Sequence, residues 1–250
     1  RDNILDSLMG IIDKNILTGV WSSGKIFRGC CASNGTKHWF EKDSFLFDFS
    51  LIDRNENMVK ILYPHSNWNE SEFHKVFRDA SSQLSLMDKS RMELKPGKYR
   101  TWFEPCAVAD FIDMFSWNGV SESSIRKGSS CFIKMRNEKK KLSPLFSLDE
   151  SFTDLTTASF NTRGEVSSTI SIIKNGVFEN ALINSKTANE YNLESNYAED
   201  ENSWGMGEYF RSPFIHGGSL YDDDKLKALD TGLFMSNIHY LNWSDNTGGR

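Results

Sequence analysis

The chain has 250 residues, enough for one large or two small domains with a hydrophobic core. Hydrophobic residues make up 38% and aromatic residues 13%, a share of large apolar side chains that excludes a disordered protein. The net charge of −5 excludes the broad basic surface that nucleic-acid binding requires. The sequence shows no signal peptide and no apolar run near the roughly 20 residues that cross a bilayer, so we expect a soluble protein without membrane partners.

The four cysteines, Cys30, Cys31, Cys106 and Cys131, form neither a C-x-x-C pair nor a regular disulfide framework. Cys30 and Cys31 are adjacent, which is an awkward geometry for a disulfide between them. This pattern favours a reduced protein in the cytoplasm. An apolar periodic segment starts almost at the first residue and a turn stands at the last, so we expect a piece of a longer protein.

The first part of the chain is predicted to mix helix and strand. Hydrophobic spacing predicts a helix over residues 4–17 that ends at Gly19. A strand with a turn inside it is expected from Val20 to Cys31. Asn34-Gly35 is then typical of the turn of a β-hairpin.

A strongly patterned strand and a helix follow. Four apolar residues at every second position predict a strand with one buried face: Phe45, Phe47, Phe49 and Leu51. A helix is predicted from Asn67 to Leu86, with an apolar stripe formed by Phe73, Val76, Phe77 and Ala80. Lys95-Pro96-Gly97 interrupts the pattern. We therefore expect one domain over residues 1–94 and a second over residues 95–250.

The second domain is expected to be β-rich. A short strand, Tyr99 to Phe103, is predicted to precede a helix over residues 107–118. Cys131 to Met135 is a short apolar segment in the β-rich part that follows. Asn175-Gly176 predicts the turn of a hairpin, and Leu233 to Leu241 is the last predicted strand. The mixed order indicates an α+β protein with mixed or antiparallel sheets and flanking helices.

The helix over residues 107–118 carries two carboxylates beside an apolar stripe. Asp110 and Asp113 stand three residues apart and are therefore neighbours on the helix surface. Such a pair can share a proton or hold a hard cation, although it is more often a solvated surface. The apolar stripe comprises Val108, Phe111, Ile112 and Phe115.

No other pattern indicates catalysis. The five histidines do not form H-E-x-x-H and do not stand beside cysteines at zinc spacing; they are His38, His65, His74, His216 and His239. The sequence also lacks G-x-S-x-G, G-x-x-x-x-G-K-[ST] and G-x-G-x-x-G. From the residues alone, no convincing catalytic set emerges.

Five segments resemble the TldD/PmbA family of peptidase-related proteins, in the family's order. They are KPGKYR from Lys95, RKGSS from Arg126, IKNG from Ile173, SKTA from Ser185 and the tail GLFMSNIHYLNWSDNTGGR from Gly232. The tail is most similar to the TldE-like branch, in which G-L-[YF]-[IV]-S-N-x-x-Y-L-N-W-S-D recurs. The resemblance implies two α+β regions in a cytosolic protein, with zinc in the TldD type and a TldE type that pairs with it.

The resemblance also implies a place for the zinc motif. In the TldD type, H-E-x-x-x-H on a helix shortly before R-K-G-[ST]-S would hold zinc and supply the general base. A count without gaps puts Asp113 at the first histidine, Met114 at the glutamate and Asn118 at the second histidine. A thioether cannot accept a proton at neutral pH, and an amide is a poor zinc ligand. The resemblance therefore implies a degenerate active site, with no zinc in this chain.

The implied function is a non-catalytic, TldE/PmbA-like subunit of a TldD-type zinc metallopeptidase complex, acting on peptides or unfolded segments in proteolysis or peptide maturation. Zinc is then expected in a TldD-like partner. Tyr240, Asn242, Trp243 and His239 are candidates for contacts with the partner or a peptide, although the size of Trp243 is more typical of a core position.

Two alternatives remain open. One is a stand-alone homodimer that binds peptides without a catalytic partner. The other is a metal-independent hydrolase that uses Asp110 and Asp113, or a cysteine.

Overall fold

The computed structural model describes residues 12, 15–154, 156–199, 207–221 and 224–249. Helices and strands occur in mixed order with mainly antiparallel sheets, which confirms the α+β prediction. The chain divides into a first unit, residues 1–27 and 41–98, and a second unit, residues 28–40 and 99–250. The domain boundary expected between residues 94 and 95 stays a prediction. Within the described residues, no helix is long and apolar enough to span a membrane.

A three-stranded sheet is built from β1 (Ile16–Cys31), β2 (Lys37–Ile52) and β3 (Met58–His65), in that order. β2 and β3 are antiparallel, in a register that runs from Phe45 opposite His65 to Ile52 opposite Met58. The predicted period-two face is confirmed, because four side chains of β2 are buried: Phe45, Phe47, Phe49 and Leu51.

The predicted interruption of β1 is wrong, since the strand runs through Gly19 and through residues 22–24 without a turn. A Cβ atom at Gly19 would lie 2.3 Å from the carbonyl oxygen of Asp48. Glycine there permits the close approach of β1 to β2 and does not end an element. The helix predicted over residues 4–17 lies largely outside the described residues, and its last two residues belong to β1.

Helix α1 (Glu70–Leu86) covers the buried face of this sheet. It begins later than predicted because the side chain of Asn69 caps it, accepting a hydrogen bond from Glu72 N at 3.2 Å. Its apolar stripe is confirmed, with Val76 only partly buried and the following side chains fully so: Phe73, Phe77, Ala80 and Leu84.

The tip of the β1–β2 hairpin belongs to the second unit. The predicted turn is confirmed: Gly35 has a φ of 92°, and Asn34 Oδ1 accepts a hydrogen bond from Thr36 N at 3.0 Å. Arg28 in the tip donates to the buried carboxylate of Glu199 at 2.9 Å.

The second unit contains two sheets. In the smaller one, β4 (Thr101–Phe103) is parallel to β9 (Leu233–Met235), so the predicted final strand ends six residues early. The larger sheet is antiparallel with the order β7-β6-β5-β8. Its strands are β5 (Leu148–Glu150), β6 (Ile170–Lys174), β7 (Val177–Phe178) and β8 (Pro213–Ile215). The Asn175-Gly176 turn between β6 and β7 is confirmed, with φ values of 49° and 77°.

Five helices occur in the described part of the second unit. They are α2 (Pro105–Ser116), α3 (Glu122–Arg126), α4 (Ile133–Asn137), α5 (Ser185–Tyr191) and α6 (Lys225–Leu229). The apolar segment from Cys131 to Met135 leads into α4 and is not a strand. The hydroxyl of Ser130 accepts a hydrogen bond from Phe132 N at 2.9 Å and donates to Gly119 O at 2.6 Å, which fixes a turn there.

We predict that Phe49→Ala lowers the free energy of unfolding by about 3–5 kcal/mol, because it leaves a cavity under α1. Phe49 is 1% exposed, whereas Leu46 on the opposite face of β2 is 38% exposed. The matched control Leu46→Ala is expected to cost less than about 1 kcal/mol. Urea denaturation measures both values, and equal losses would contradict the assignment of the two faces.

Candidate functional site

Helix α2 is the element on which the predicted motif lies. Pro105 occupies its first turn, and Glu104 before it accepts hydrogen bonds from Trp102 Nε1 at 2.9 Å and Lys225 Nζ at 2.8 Å. The helix buries Ala107, Ile112 and Met114, while Val108 and Phe115 pack partly buried against the core. The predicted stripe is therefore shifted, since Phe111 is 36% exposed and meets Phe103 edge-on.

The three positions predicted for the motif stand in three different environments. Asp113 is exposed and accepts a hydrogen bond from Trp117 Nε1 at 3.2 Å. Met114 is 6% exposed. Asn118 lies beyond the end of the helix with a φ of 66°, and its side-chain oxygen accepts a hydrogen bond from Ser124 at 3.3 Å.

These residues do not fit a zinc ion. A buried thioether, an amide engaged by a serine and one exposed carboxylate do not supply the three or four convergent ligands that zinc requires. Within the described part of the chain, no group of three or more His, Cys, Asp or Glu side chains is placed to hold a metal. Asp110 is exposed like Asp113, so both carboxylates of the pair lie on the solvated surface of the helix.

A groove of about 730 Å³ runs along α2, opposite the segment that contains β8. Its apolar lining includes Val108, Ile112, Phe210 and Ile215, and Asp113, Ser116 and His216 contribute polar groups. The hydroxyl of Ser116 accepts a hydrogen bond from Phe210 N at 3.2 Å, which ties the helix to the opposite wall. The groove lies within the size range of ligand sites.

His216 stands at the end of the opposite wall, directly after β8. Its Nε2 lies 2.7 Å from Asp149 Oδ2, and its ring meets Phe214 edge-on at 5.3 Å between centroids. Neither His216 nor Phe210 is predicted for this site from the sequence. No local signal marks them, because they follow α2 by about a hundred residues and reach it only through the sheet.

Strand β8 is an edge of the four-stranded sheet within the described structure. His216 N donates to Ser147 O and Ser151 N donates to Ser212 O, so Ser212, Phe214 and His216 direct their backbone groups toward β5. By the alternation of antiparallel strands, Pro213 and Ile215 direct theirs away from the sheet. The edge therefore offers two carbonyl acceptors and one N–H donor beside the groove.

Residues 96–250 match the model of the PmbA/TldA metallopeptidase C-terminal domain family. The chain belongs to the TldD/PmbA family. The resemblance read from the five segments is thereby confirmed. Among curated proteins, no sequence matches this chain.

Three solved structures of similar fold agree with this family. A putative modulator of a DNA gyrase from Thermotoga maritima has a TM-score of 0.69 at 18% identity, over 91% of this chain and 53% of that one. TldE from Thermococcus kodakarensis has a TM-score of 0.69 at 16% identity, over 89% of this chain and 52% of that one. A putative modulator of DNA gyrase from Bacteroides thetaiotaomicron has a TM-score of 0.71 at 16% identity, over 99% and 57%. The chain thus spans little more than half the length of these structures.

The R-K-G-S-S segment of the family has a structural role here. Arg126 Nε donates to Glu122 Oε1 at 2.8 Å, and Arg136 donates to both oxygens of the same carboxylate. Burial opposes ionisation of Glu122, but the hydrogen bonds from Arg136 and Arg126 outweigh it and hold its pKa below the usual value. Gly128, with a φ of 79°, then ends α3.

The family tail packs against the same segment. Asn246 donates to Ser129 O at 2.7 Å, and Asp245 accepts from Gly248 N at 2.8 Å. Trp243 is partly buried.

The remaining tail candidates, His239, Tyr240 and Asn242, are exposed. The side chain of Asn242 donates to the Tyr240 hydroxyl at 3.3 Å. The described lining of the groove includes none of the four tail candidates, so their role in binding stays a prediction.

Cys131 is unsuited to nucleophilic chemistry. Burial raises the pKa of its thiol to about 12, so the reactive thiolate is scarce at neutral pH.

We predict that Glu122→Gln lowers the free energy of unfolding by about 2 kcal/mol at pH 7, because two arginines lose a buried charged partner. The folded pKa of Glu122 lies below its usual value of 4.5. The contribution of the carboxylate is therefore complete above that value and is lost as the pH falls through the folded pKa. Urea denaturation at several pH values should show the difference from the parent protein narrowing below about pH 4.5.

A matched control is Glu138→Gln, which neutralises an exposed carboxylate 4.0 Å from Lys140. It is expected to change the free energy of unfolding by less than about 0.5 kcal/mol at every pH. An effect of Glu122→Gln as small as this would show that the arginine pair does not stabilise the fold.

Proposed function

We propose that the chain is a non-catalytic, TldE-like subunit that binds extended peptides and pairs with a zinc-bearing, TldD-like partner. The observation that carries the proposal is the engagement of the three motif positions. Asp113 is held by Trp117, Met114 is buried, and Asn118 is held by Ser124 in a left-handed turn. The buried Met114 and the turn residue Asn118 thus have local structural roles, and the exposed carboxylate of Asp113 cannot hold zinc by itself.

Peptide binding is supported by the groove and the strand beside it. An open sheet edge pairs with the backbone of an extended peptide, and neighbouring pockets accept alternate side chains. The outward groups of Pro213 and Ile215 supply such an edge, and the apolar lining along α2 supplies the pocket. Backbone recognition of this kind suits unfolded segments of varied sequence.

Pairing and location rest on the family and on the cysteines. A TldE structure shares this fold, and the family resemblance implies that a TldE type pairs with a TldD type. Zinc, the general base and the cleavage reaction are therefore assigned to the partner. The four cysteines are free thiols, which supports a reducing compartment such as the cytoplasm.

We predict that mixing the purified chain with the TldD-like protein of the same organism yields a complex that contains zinc and cleaves an unfolded peptide. Elemental analysis of the separate proteins should find zinc in the partner and not in this chain. Chelation should abolish cleavage by the complex. Met114→Leu keeps the volume of a buried side chain and is expected to leave cleavage unchanged.

Three outcomes would contradict this assignment. Stoichiometric zinc in the isolated chain would restore a metal site, and chelator-resistant cleavage by the isolated chain would favour the hydrolase alternative. Failure to associate with the TldD-like protein, with self-association in light scattering, would favour the homodimer.

We predict that peptide binding depends on which backbone N–H groups the peptide carries. Two versions of one nine-residue peptide are compared, N-methylated at odd or at even positions, because only alternate residues face the edge of β8. One version should bind about thirtyfold more weakly in fluorescence anisotropy, since two hydrogen bonds of about 1 kcal/mol each are lost. Equal affinities of the two versions would argue against strand addition.

A further inference from the structure

The groove along α2 carries a net negative charge. Asp113 and His216 are its ionisable lining groups, and the described lining contains no lysine or arginine. His216 is already paired with the carboxylate of Asp149 at 2.7 Å, so it offers no unpaired positive charge to a peptide. Asp113 therefore decides the sign of the charge that a bound peptide meets.

The carboxylate of Asp113 is available to a ligand. It is exposed, and its described partner is a neutral donor, the indole N–H of Trp117. No ion pair joins it to a basic side chain of the described structure. Asp110 stands one turn earlier on the same helix as a second exposed carboxylate outside the groove lining, and both charges favour cations near this helix.

The apolar lining fits the rest of a basic side chain. Val108 and Ile112 stand on the same helix as Asp113, and Ile215 stands on the opposite wall. Lysine and arginine bury an aliphatic stem along apolar surface while the charged end stays in water or on a carboxylate. A norleucine side chain would make the apolar contact without the charged one.

We propose that this groove selects extended peptides that carry a lysine or arginine among apolar side chains, and that Asp113 reads the positive charge. The inference rests on the proposed peptide-binding function and adds its substrate class. The sheet edge holds the peptide backbone, the apolar lining holds side chains, and the carboxylate distinguishes basic from neutral or acidic residues at one position.

The test uses the full chain and three fluorescein-labelled nine-residue peptides rich in threonine and valine. They differ only at the central residue, which is lysine, norleucine or glutamate. Anisotropy titrations should give the lysine peptide about fivefold tighter binding than the norleucine peptide, the size expected for one solvent-exposed ion pair. The glutamate peptide should bind more weakly than either, and the preference should shrink toward one at about 0.5 M salt.

Two variants locate the selectivity. Asp113→Asn removes the charge but keeps an oxygen that accepts the Trp117 hydrogen bond, so the lysine-to-norleucine ratio should fall to about one. The control Glu194→Gln makes the same change of charge at an exposed residue of the second unit that is outside the groove lining. It should keep the fivefold ratio.

The outcomes separate the two claims. Equal binding of lysine and norleucine peptides overturns the charge selectivity and leaves peptide binding standing. A preference that survives Asp113→Asn also overturns the proposal, because another group would then read the charge. If none of the three peptides binds, the peptide-binding function falls and the selectivity falls with it.

Discussion

The packing of the helices that follow α2 depends on the buried carboxylate of Glu122. Arg126 of α3 and Arg136 of α4 both bind it. The guanidinium group of Arg126 also lies 5.5 Å from the ring centroid of Tyr191, and that of Arg136 lies 5.4 Å from the ring centroid of Phe178. One buried charge thus joins α3, α4, α5 and β7. Without its arginines the carboxylate would be strongly disfavoured in this interior, so the helices and the ion pair require each other. The chain that follows α2 is fixed as a consequence.

The contacts around Glu122 do not require a zinc ion. The family fold can therefore form where the residues of α2 do not fit zinc. The side of α2 that packs on the sheet uses Ile112, Val108 and Phe115, and none of these is a motif position. The burial of Met114 and the left-handed turn at Asn118 give these two side chains local structural roles. Helix α2 packs on the sheet and forms one wall of the groove. The segment around β8 forms the other wall.

Local patterns predicted the elements whose geometry is decided locally. The alternating phenylalanines of β2, the stripe of α1 and the Asn-Gly turns were correct, because burial on one face and left-handed φ values leave direct marks on sequence. Gly19 was misinterpreted, since a close approach between strands and a helix end favour the same residue. No sequence pattern predicted the wall of the groove that contains β8. β8 has only three residues, and its partners lie more than sixty residues away along the chain.

Pro213 limits the strands that can pair with β8 at the edge of the described sheet. Proline lacks an N–H group, so one of the outward positions of this strand offers an acceptor without a donor. Two copies of β8 paired edge to edge would each lack one backbone hydrogen bond at that position. This loss disfavours edge-to-edge aggregation of identical chains. The missing N–H group would weaken the binding of a short peptide only slightly, because transient binding needs only a few hydrogen bonds. The missing N–H group would thus oppose fibril growth and would still allow transient pairing with a short peptide.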